Sequence, residues 1–190
     1  DMPGYTTTLL TTLSENYIKE NKDKPFCLYI AHAAPHSPMQ GPGEKAIRTD
    51  VTPEGDKNSS RPNKEIYRDM VEELDWSVGR ILETLKKYEL DENTFVVFFS
   101  DNGPVINNGG SAGGYRGAKG TPWEGGHRVP GICYMPGTIK EGTICKQAVM
   151  SFDLFPTMLD MADIHYDDSK KKLDGTSLMP LFKGKELAPR

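Results

Sequence analysis

The chain has 190 residues, of which 36% are hydrophobic and 26% are charged, and its formal net charge is −4. These values are typical of one globular domain and exclude a disordered chain. The acidic balance argues against a nucleic-acid partner, which would require clustered basic residues. No apolar run is long enough to cross a bilayer, so we expect no membrane span. The first four residues indicate a loop, so either a leader was removed or the chain begins inside a longer protein.

Residues 6–21 are predicted to form the first helix, because apolar side chains recur along one helical face. We expect this helix to pack through the stripe formed by Leu9, Leu10, Leu13, Tyr17 and Ile18. Residues 26–31 are apolar throughout, which favours a strand buried on both faces of a parallel sheet. Cys27 in this segment and Cys133 further along are interpreted as buried small hydrophobes, since no C-x-x-C pair is present.

Residues 38–63 lack periodicity and are rich in Pro, Gly, Lys, Asp and Ser, so we interpret them as a long, mobile rim loop. Residues 64–88 show the strongest helical periodicity in the chain. The apolar positions of this helix are Ile66, Met70, Leu74, Val78, Ile81, Leu82 and Leu85. Residues 94–99 form a second apolar run, so strand, helix and strand predict a βαβ unit with parallel strands. The carboxyl ends of both strands would then meet at the ligand-binding edge of the sheet.

A glycine-rich loop over residues 103–130 leads to a short strand predicted at residues 131–135. Residues 147–150 could form another strand, and residues 152–162 are predicted to form a helix capped by Asp153. The tail from His165 onward has the composition of a loop. The predicted fold class is therefore α/β, with a mostly parallel sheet flanked by helices.

Asp101 and Asn102 follow directly after the second apolar run, at the predicted edge of the sheet. Carboxylate and amide oxygens suit Ca²⁺, or Mg²⁺, better than a transition metal. Asp-Asn-Gly is also a common turn sequence, but residues 104–114 contain no alternating strand that could pair back in a hairpin. We therefore place a metal-ligand role ahead of a simple turn.

His36 and Lys119 are the other two candidate site residues. Each has an ordinary alternative, since His36 could be only a loop histidine and Lys119 only a solvated lysine. Near the predicted metal ligands, however, an imidazole can donate a proton or contact an anion. Lys119 is flanked by glycines, with Arg116 and Arg128 nearby, so cations could converge on a tetrahedral oxyanion such as sulfate or phosphate. His127 could bind substrate or only cap a turn, and both interpretations stay open.

Several segments together form a specific pattern. They are residues 26–31 leading to Pro35-His36-Ser37-Pro38, the helix with Tyr67, Leu74 and Gly79, residues 99–104, residues 116–120, residues 123–130, and Asp174-Gly175. In order and spacing these segments resemble the sulfatases of the alkaline-phosphatase-like superfamily, over nearly the whole chain. The resemblance implies the alkaline-phosphatase-like fold and hydrolysis of sulfate esters.

The resemblance also implies roles for the matching residues. Asp101 and Asn102 would bind a divalent cation, usually Ca²⁺, and His36 and Lys119 would be catalytic residues that contact the sulfate group. The family's nucleophile is a formylglycine made from Cys or Ser in a C/S-x-P/A-x-R motif. The implied substrate is a sulfated small molecule or glycan. The implied location is periplasmic, secreted or lysosomal.

The sequence departs from the family at the nucleophile. None of Cys27, Cys133 and Cys145 lies in the required motif, and the early Asp pair of the family's metal site is absent. We therefore expect residues 1–190 to be a single partial domain, the central to C-terminal part of a sulfatase catalytic domain, which is inactive alone. The formylglycine would lie in an N-terminal half outside this chain. The alternatives are a phosphodiesterase or phosphonate hydrolase of the same superfamily, and a non-catalytic module that binds anionic glycans.

Overall fold

The computed structural model describes residues 4–44, 61–169 and 171–188. Its helices are α1 (Thr6–Asn21), α2 (Asn63–Lys87), α3 (Glu124–His127), α4 (Leu154–Met161) and α5 (Met179–Phe182). Its strands, β1 (Val96–Phe99) and β2 (Gly131–Tyr134), are neighbours in a two-stranded sheet. Single 3₁₀ turns cover Asp91–Asn93, Ile106–Asn108 and Ser151–Asp153. The chain divides into two compact units, residues 1–132 and residues 133–190.

Helix α2 confirms the strongest prediction from the sequence. Its observed bounds differ by one residue at each end from the predicted residues 64–88. The predicted apolar face is buried or half-buried along the whole helix. In its first two turns, Ile66 and Met70 are buried together with Met39, and Ala34 and Tyr67 pack around them. The segment that contains the candidate His36 is thus fixed on the N-terminal part of α2. Among the described residues, no helix is long and apolar enough for a membrane crossing.

Helices α1 and α2 meet through small polar side chains rather than through the predicted leucine stripe. The buried residues of α1 are Thr7, Thr11, Ser14 and Ile18. The Thr11 hydroxyl lies 2.6 Å from the hydroxyl of Ser77 on α2, and Ser77 is completely buried. Leu13, in contrast, is 49% exposed. The predicted stripe is therefore wrong at Leu13, whereas Ile18 is buried and Leu9, Leu10 and Tyr17 are half-buried. Apart from Ile18, the buried positions of α1 are small polar residues, which apolar periodicity does not mark.

Residues 26–31 form no strand, so the predicted βαβ unit is wrong at its first strand. Exposed and half-buried side chains alternate instead: Cys27 and Tyr29 are exposed, whereas Leu28 between them is half-buried. A strand requires a ladder of backbone hydrogen bonds to a neighbouring strand. The described part of the chain provides no such neighbour here, and Cys27 is not the buried hydrophobe that its apolar surroundings predicted.

The predicted rim loop, residues 38–63, can be followed only at its two ends, because residues 45–60 lie outside the described residues. At one end Met39 is buried in the cluster on α2. At the other end the Arg61 guanidinium donates a hydrogen bond to the Asp69 carboxylate on α2 at 2.5 Å. That guanidinium holds the pKa of Asp69 below its usual value. Both described ends of the loop are therefore anchored on the same helix.

A buried carboxylate organises the second unit. Asp153 is completely buried and accepts hydrogen bonds from the backbone N–H groups of Met150 at 2.7 Å and Thr176 at 2.9 Å. The buried hydroxyl of Thr157 on α4 accepts a third, from the Leu178 N–H at 2.9 Å. The expected capping of α4 by the Asp153 side chain is therefore wrong, because this carboxylate ties the segment around residue 176 to the start of the helix instead.

Of the remaining predictions for secondary structure, three are confirmed in whole or in part and two are wrong. Strand β2 and helix α4 form where the sequence predicted them, and β1 begins two residues later than expected. Residues 147–150 form no strand, since the Gln147 amide instead pairs with the backbone of Leu187, with Leu187 N–H to Gln147 Oε1 at 2.9 Å. Helix α5 lies in the tail that was expected to be a loop, because four residues are too few to show helical periodicity.

Candidate active site

The loop directly after β1 carries Asp101 and Asn102 side by side. Asn102 Nδ2 donates to Asp101 Oδ1 at 2.8 Å, which leaves Asp101 Oδ2 and Asn102 Oδ1 without a hydrogen bond to the described residues. The Ser100 hydroxyl donates to the Asn102 carbonyl at 3.0 Å and fixes the turn. Asp101 is exposed and Asn102 is half-buried. Two oxygens of the type that hard cations prefer are thus adjacent at one loop.

Gly103 joins this loop to the glycine-rich loop. Its N–H donates to the Gly126 carbonyl at 2.8 Å, and a Cβ at Gly103 would overlap the Gly125 carbonyl oxygen. One residue further, the Pro104 carbonyl accepts a hydrogen bond from the Lys119 N–H at 3.0 Å. The backbone of Lys119 is therefore attached directly to the loop that carries the candidate metal ligands.

Lys119 itself lies in a tight, exposed turn. The Thr121 N–H donates to the Ala118 carbonyl at 3.0 Å across the turn. Gly117 and Gly120 on either side have φ values of +84° and +83°, a conformation that L side chains rarely adopt. No described carboxylate forms an ion pair with the Lys119 ammonium. The turn thus presents a cation that no described carboxylate neutralises.

The His36 side chain has a defined proton position. His36 Nδ1 lies 2.7 Å from the Ser37 carbonyl oxygen. Because a carbonyl can only accept, Nδ1 carries the proton and the exposed Nε2 is the free nitrogen. Asn108 Nδ2 donates to the Ser37 hydroxyl at 3.3 Å, and Asn63 Nδ2 donates to Asn108 Oδ1 at 3.3 Å. These two asparagines, which the sequence did not single out, connect the His36 segment to the 3₁₀ turn that follows Asp101.

Two other histidines have different surroundings. His32 is half-buried, and its buried Nδ1 has no hydrogen-bond partner among the described residues. Burial lowers the pKa of His32 and so favours its neutral form. His127 is exposed, and its Nε2 lies 3.2 Å from the Pro122 carbonyl oxygen.

The two arginines of the glycine-rich loop both stack on aromatic rings but differ in charge compensation. Arg128 stacks 4.5 Å from the Tyr115 ring centre and pairs with Glu124 at 2.9 Å, which raises the pKa of Arg128. Arg116 stacks 3.6 Å from the Trp123 ring centre and forms no ion pair with a described carboxylate. Only Arg128 is therefore neutralised within the described part of the loop.

The described residues contain no group of three or more His, Cys, Asp or Glu side chains that could hold a metal ion. Asp101 and Asn102 supply two hard oxygens, whereas Ca²⁺ takes about six to eight ligands and Mg²⁺ about six. The donor set present therefore fits a hard divalent cation by chemistry but not by number. A complete site would need ligands from elsewhere.

Comparison with known proteins places this geometry in a family. The sulfatase family model matches residues 2–164. The chain belongs to the sulfatase family. Steryl-sulfatase of Homo sapiens is 33% identical over 187 residues, which cover 94% of this sulfatase chain and 30% of the human protein. N-acetylgalactosamine-6-sulfatase of Canis lupus familiaris is 35% identical, with 94% and 34% covered. The chain thus spans about a third of the length of these relatives.

Solved structures agree with this assignment. The structure of Ps i-CgsB in complex with k-i-k-neocarrahexaose matches this sulfatase chain with a TM-score of 0.82 and 31% identity, covering 96% of this chain and 39% of the other. The phosphonate monoester hydrolase SpPMH from Silicibacter pomeroyi matches less well, with a TM-score of 0.54 and 25% identity over 66% of this chain and 23% of the other. The α/β fold class of the alkaline-phosphatase-like type is confirmed.

Proposed function

We propose that this sulfatase chain is part of an enzyme that hydrolyses sulfate esters. The observation that carries the proposal is the hydrogen bond between the Lys119 N–H and the Pro104 carbonyl, which holds a cationic turn beside the Asp101 loop. A transferring sulfate group carries negative charge on its oxygens, and fixed cations beside it stabilise that charge. Residues 1–190 would form a single partial domain, with residues 103–130 as its active-site loop.

Each candidate residue of the chain would have a separate role in this reaction. Asp101 and Asn102 would hold Ca²⁺, or Mg²⁺, together with ligands outside the chain. The cation, when bound, would polarise the sulfate oxygens. The Lys119 ammonium would bind a sulfate oxygen. His36, whose Nδ1 proton is held by a carbonyl, would use Nε2 to contact the leaving oxygen, and as an imidazolium it would donate the proton that the departing alcohol needs.

The nucleophile of this proposal is a formylglycine outside residues 1–190. The substrate is a sulfated small molecule or glycan, since the similar proteins are named for a steryl ester, an amino sugar and a bound oligosaccharide. We place the protein in the periplasm, in the lysosome or outside the cell, as the family resemblance suggests. Residues 38–63 would form part of the rim above the site.

One second candidate has an observation in its favour. The likeness to a phosphonate monoester hydrolase shows that the same scaffold also accompanies phosphonate chemistry. That likeness covers 66% of this chain, whereas the likeness to Ps i-CgsB covers 96%. The sulfate ester is therefore the better-supported substrate.

The test is hydrolysis by the full-length enzyme that contains this chain, with 4-nitrophenyl sulfate and 4-nitrophenyl phenylphosphonate compared side by side. We expect the sulfate to be the faster substrate. Lys119→Ala should lower kcat for the sulfate by about 100-fold or more, as expected when one charge-stabilising donor is removed. Lys22→Ala, which removes an exposed lysine paired with Asp23 at 3.2 Å, is the matched control.

Three outcomes would count against the proposal. Equal rates in the Lys119 and Lys22 variants would remove Lys119 from the mechanism. A faster phosphonate reaction would favour the second candidate. No hydrolysis of either compound, with retained binding of a sulfated glycan, would favour a non-catalytic binding module.

A further inference from the structure

Arg116 is a positioned cation that the proposed mechanism does not use. It is exposed, and no carboxylate in residues 4–44, 61–169 or 171–188 forms an ion pair with it. The other arginine of the same loop, Arg128, has its charge compensated by Glu124 at 2.9 Å. In a chain whose net charge is −4, an arginine that has no carboxylate partner among the described residues and lies near the proposed sulfate site is available to bind a further anion.

Trp123 holds the Arg116 guanidinium in place. The guanidinium carbon lies over the Trp123 ring, 3.6 Å from its centre, which is a cation–π contact. The backbone is fixed as well, because the Arg116 carbonyl accepts a hydrogen bond from the Gly125 N–H at 2.8 Å. A guanidinium that is stacked in this way keeps its N–H groups available at its edge and loses little freedom when it binds an anion.

Arg116 also lies close to the cation proposed to bind the sulfate ester. Three peptide units separate it from Lys119, so their Cα atoms are at most about 11 Å apart. Both cations therefore lie within reach of two groups on one sugar or on neighbouring sugars.

We infer that Arg116 binds a second anionic group of the substrate, so that the preferred substrate is a sugar or oligosaccharide with a sulfate or carboxylate besides the ester that is cleaved. This inference rests on the proposed function and deepens it. The planar, forked guanidinium suits bidentate binding of a sulfate or carboxylate. Trp123, which is 45% exposed, positions Arg116 through the contact of its ring with the guanidinium.

The test uses two substrates of the full-length enzyme that differ only in the second charge. They are a monosaccharide with one sulfate ester and the same monosaccharide with two. Arg116→Gln should raise KM for the doubly sulfated sugar by about 10- to 100-fold, the range for loss of a hydrogen bond to a charged group. For the singly sulfated sugar, KM and kcat should stay within about twofold of the wild-type values.

Two further variants separate binding from a structural effect. Arg116→Lys keeps the charge but lacks the flat face that stacks on Trp123, so it should give an intermediate KM for the doubly sulfated sugar. Arg68→Gln makes the same change at an exposed arginine of α2, which pairs with Glu72 at 3.6 Å, and should leave both substrates unaffected.

Equal effects of Arg116→Gln on both substrates, or none on either, would overturn the inference while leaving the proposed function intact. If the wild-type enzyme hydrolyses neither substrate, the proposed function fails instead. Calorimetric titration of the doubly sulfated monosaccharide then decides the inference separately. The wild-type protein must bind this sugar at least about 10-fold more tightly than Arg116→Gln does, and equal affinities would sink the inference.

Discussion

The two loops of the site meet at Gly103, Gly125 and Gly126, where the absence of side chains lets the two backbones come close together. The Gly103 N–H binds the Gly126 carbonyl, and a Cβ at Gly103 would overlap the Gly125 carbonyl oxygen. A Cβ at Gly125 would in turn overlap the Gly117 carbonyl oxygen, within the same loop. The φ of Gly103 is outside the left-handed region, so space rather than backbone conformation requires glycine there.

We predict that Gly103→Ala destabilises the full-length enzyme by about 1–3 kcal/mol or more, since backbone must move to admit the methyl group. Gly79→Ala is the matched control, because a Cβ at Gly79 within α2 meets nothing within 4 Å. That change should stabilise the helix by about 0.5–1 kcal/mol. The measurement is the thermal unfolding midpoint of both variants. An unchanged midpoint in Gly103→Ala would contradict the close approach of the two loops.

At this scale the sequence indicates which residues carry chemistry but not which residues position them. Asp101, Asn102 and His36 are recognisable because they are polar and follow apolar runs. Asn108 and Asn63, which hold the Ser37 side of the site, have no such signal, since their hydrogen bonds join segments far apart in the chain. That information exists only after folding.

The α1 and α2 pair shows that a helix can be predicted correctly while the face that packs against its neighbour is not. Both helices form where periodicity predicts them. Their contact, however, uses the hydroxyl pair of Thr11 and Ser77 at 2.6 Å. Hydrophobic periodicity cannot identify such a face, because threonine and serine at this spacing resemble solvated positions. Residues 26–31 show a different error. Their apolar composition favours a strand, but a strand also needs a neighbouring strand with which to form hydrogen bonds.

We predict that Ser77→Ala lowers the free energy of unfolding by about 1 kcal/mol, the value of one net hydrogen bond. Ser77→Leu should cost about 1–3 kcal/mol more, because its side chain has no room at a completely buried position. Asp75→Leu, at an exposed position of the same helix, is the control for adding a leucine. The measurement is denaturant unfolding of the full-length enzyme. If the Ser77→Leu protein is as stable as the Ser77→Ala protein, the close α1–α2 contact is contradicted.

At the scale of the whole molecule, the share of a related sulfatase that this chain covers limits what it can do. The match with Ps i-CgsB covers 96% of this chain but only 39% of the Ps i-CgsB chain. We propose that the remaining part of such a domain supplies the neighbour for residues 26–31 and covers the exposed Leu13 and Tyr29. The fold class was predictable because α2, β1 and β2 lie within this chain. The strand predicted at residues 26–31 is not formed, because the described part of the chain contains no neighbouring strand for it.

We predict that residues 1–190, purified alone, hydrolyse no aryl sulfate and bind Ca²⁺ weakly or not at all. The reason is that Asp101 and Asn102 are two ligands of the several that a calcium site needs. The measurements are release of 4-nitrophenol from its sulfate and calorimetric titration with Ca²⁺. Asp101→Ala in the same chain is the control and should behave like the parent chain. Clear turnover by residues 1–190 would refute the interpretation as a partial domain.

The hydrogen bonds from Gly103 to Gly126 and from Lys119 to Pro104 have a consequence for engineering. They join the loop that carries Asp101 and Asn102 to the turn that carries Lys119, so the backbone of residues 101–126 forms one hydrogen-bonded unit. A chimera that exchanges specificity loops between related sulfatases should therefore have its junctions outside this stretch. A junction inside it would combine backbones from two proteins at a point where even one extra methyl group does not fit.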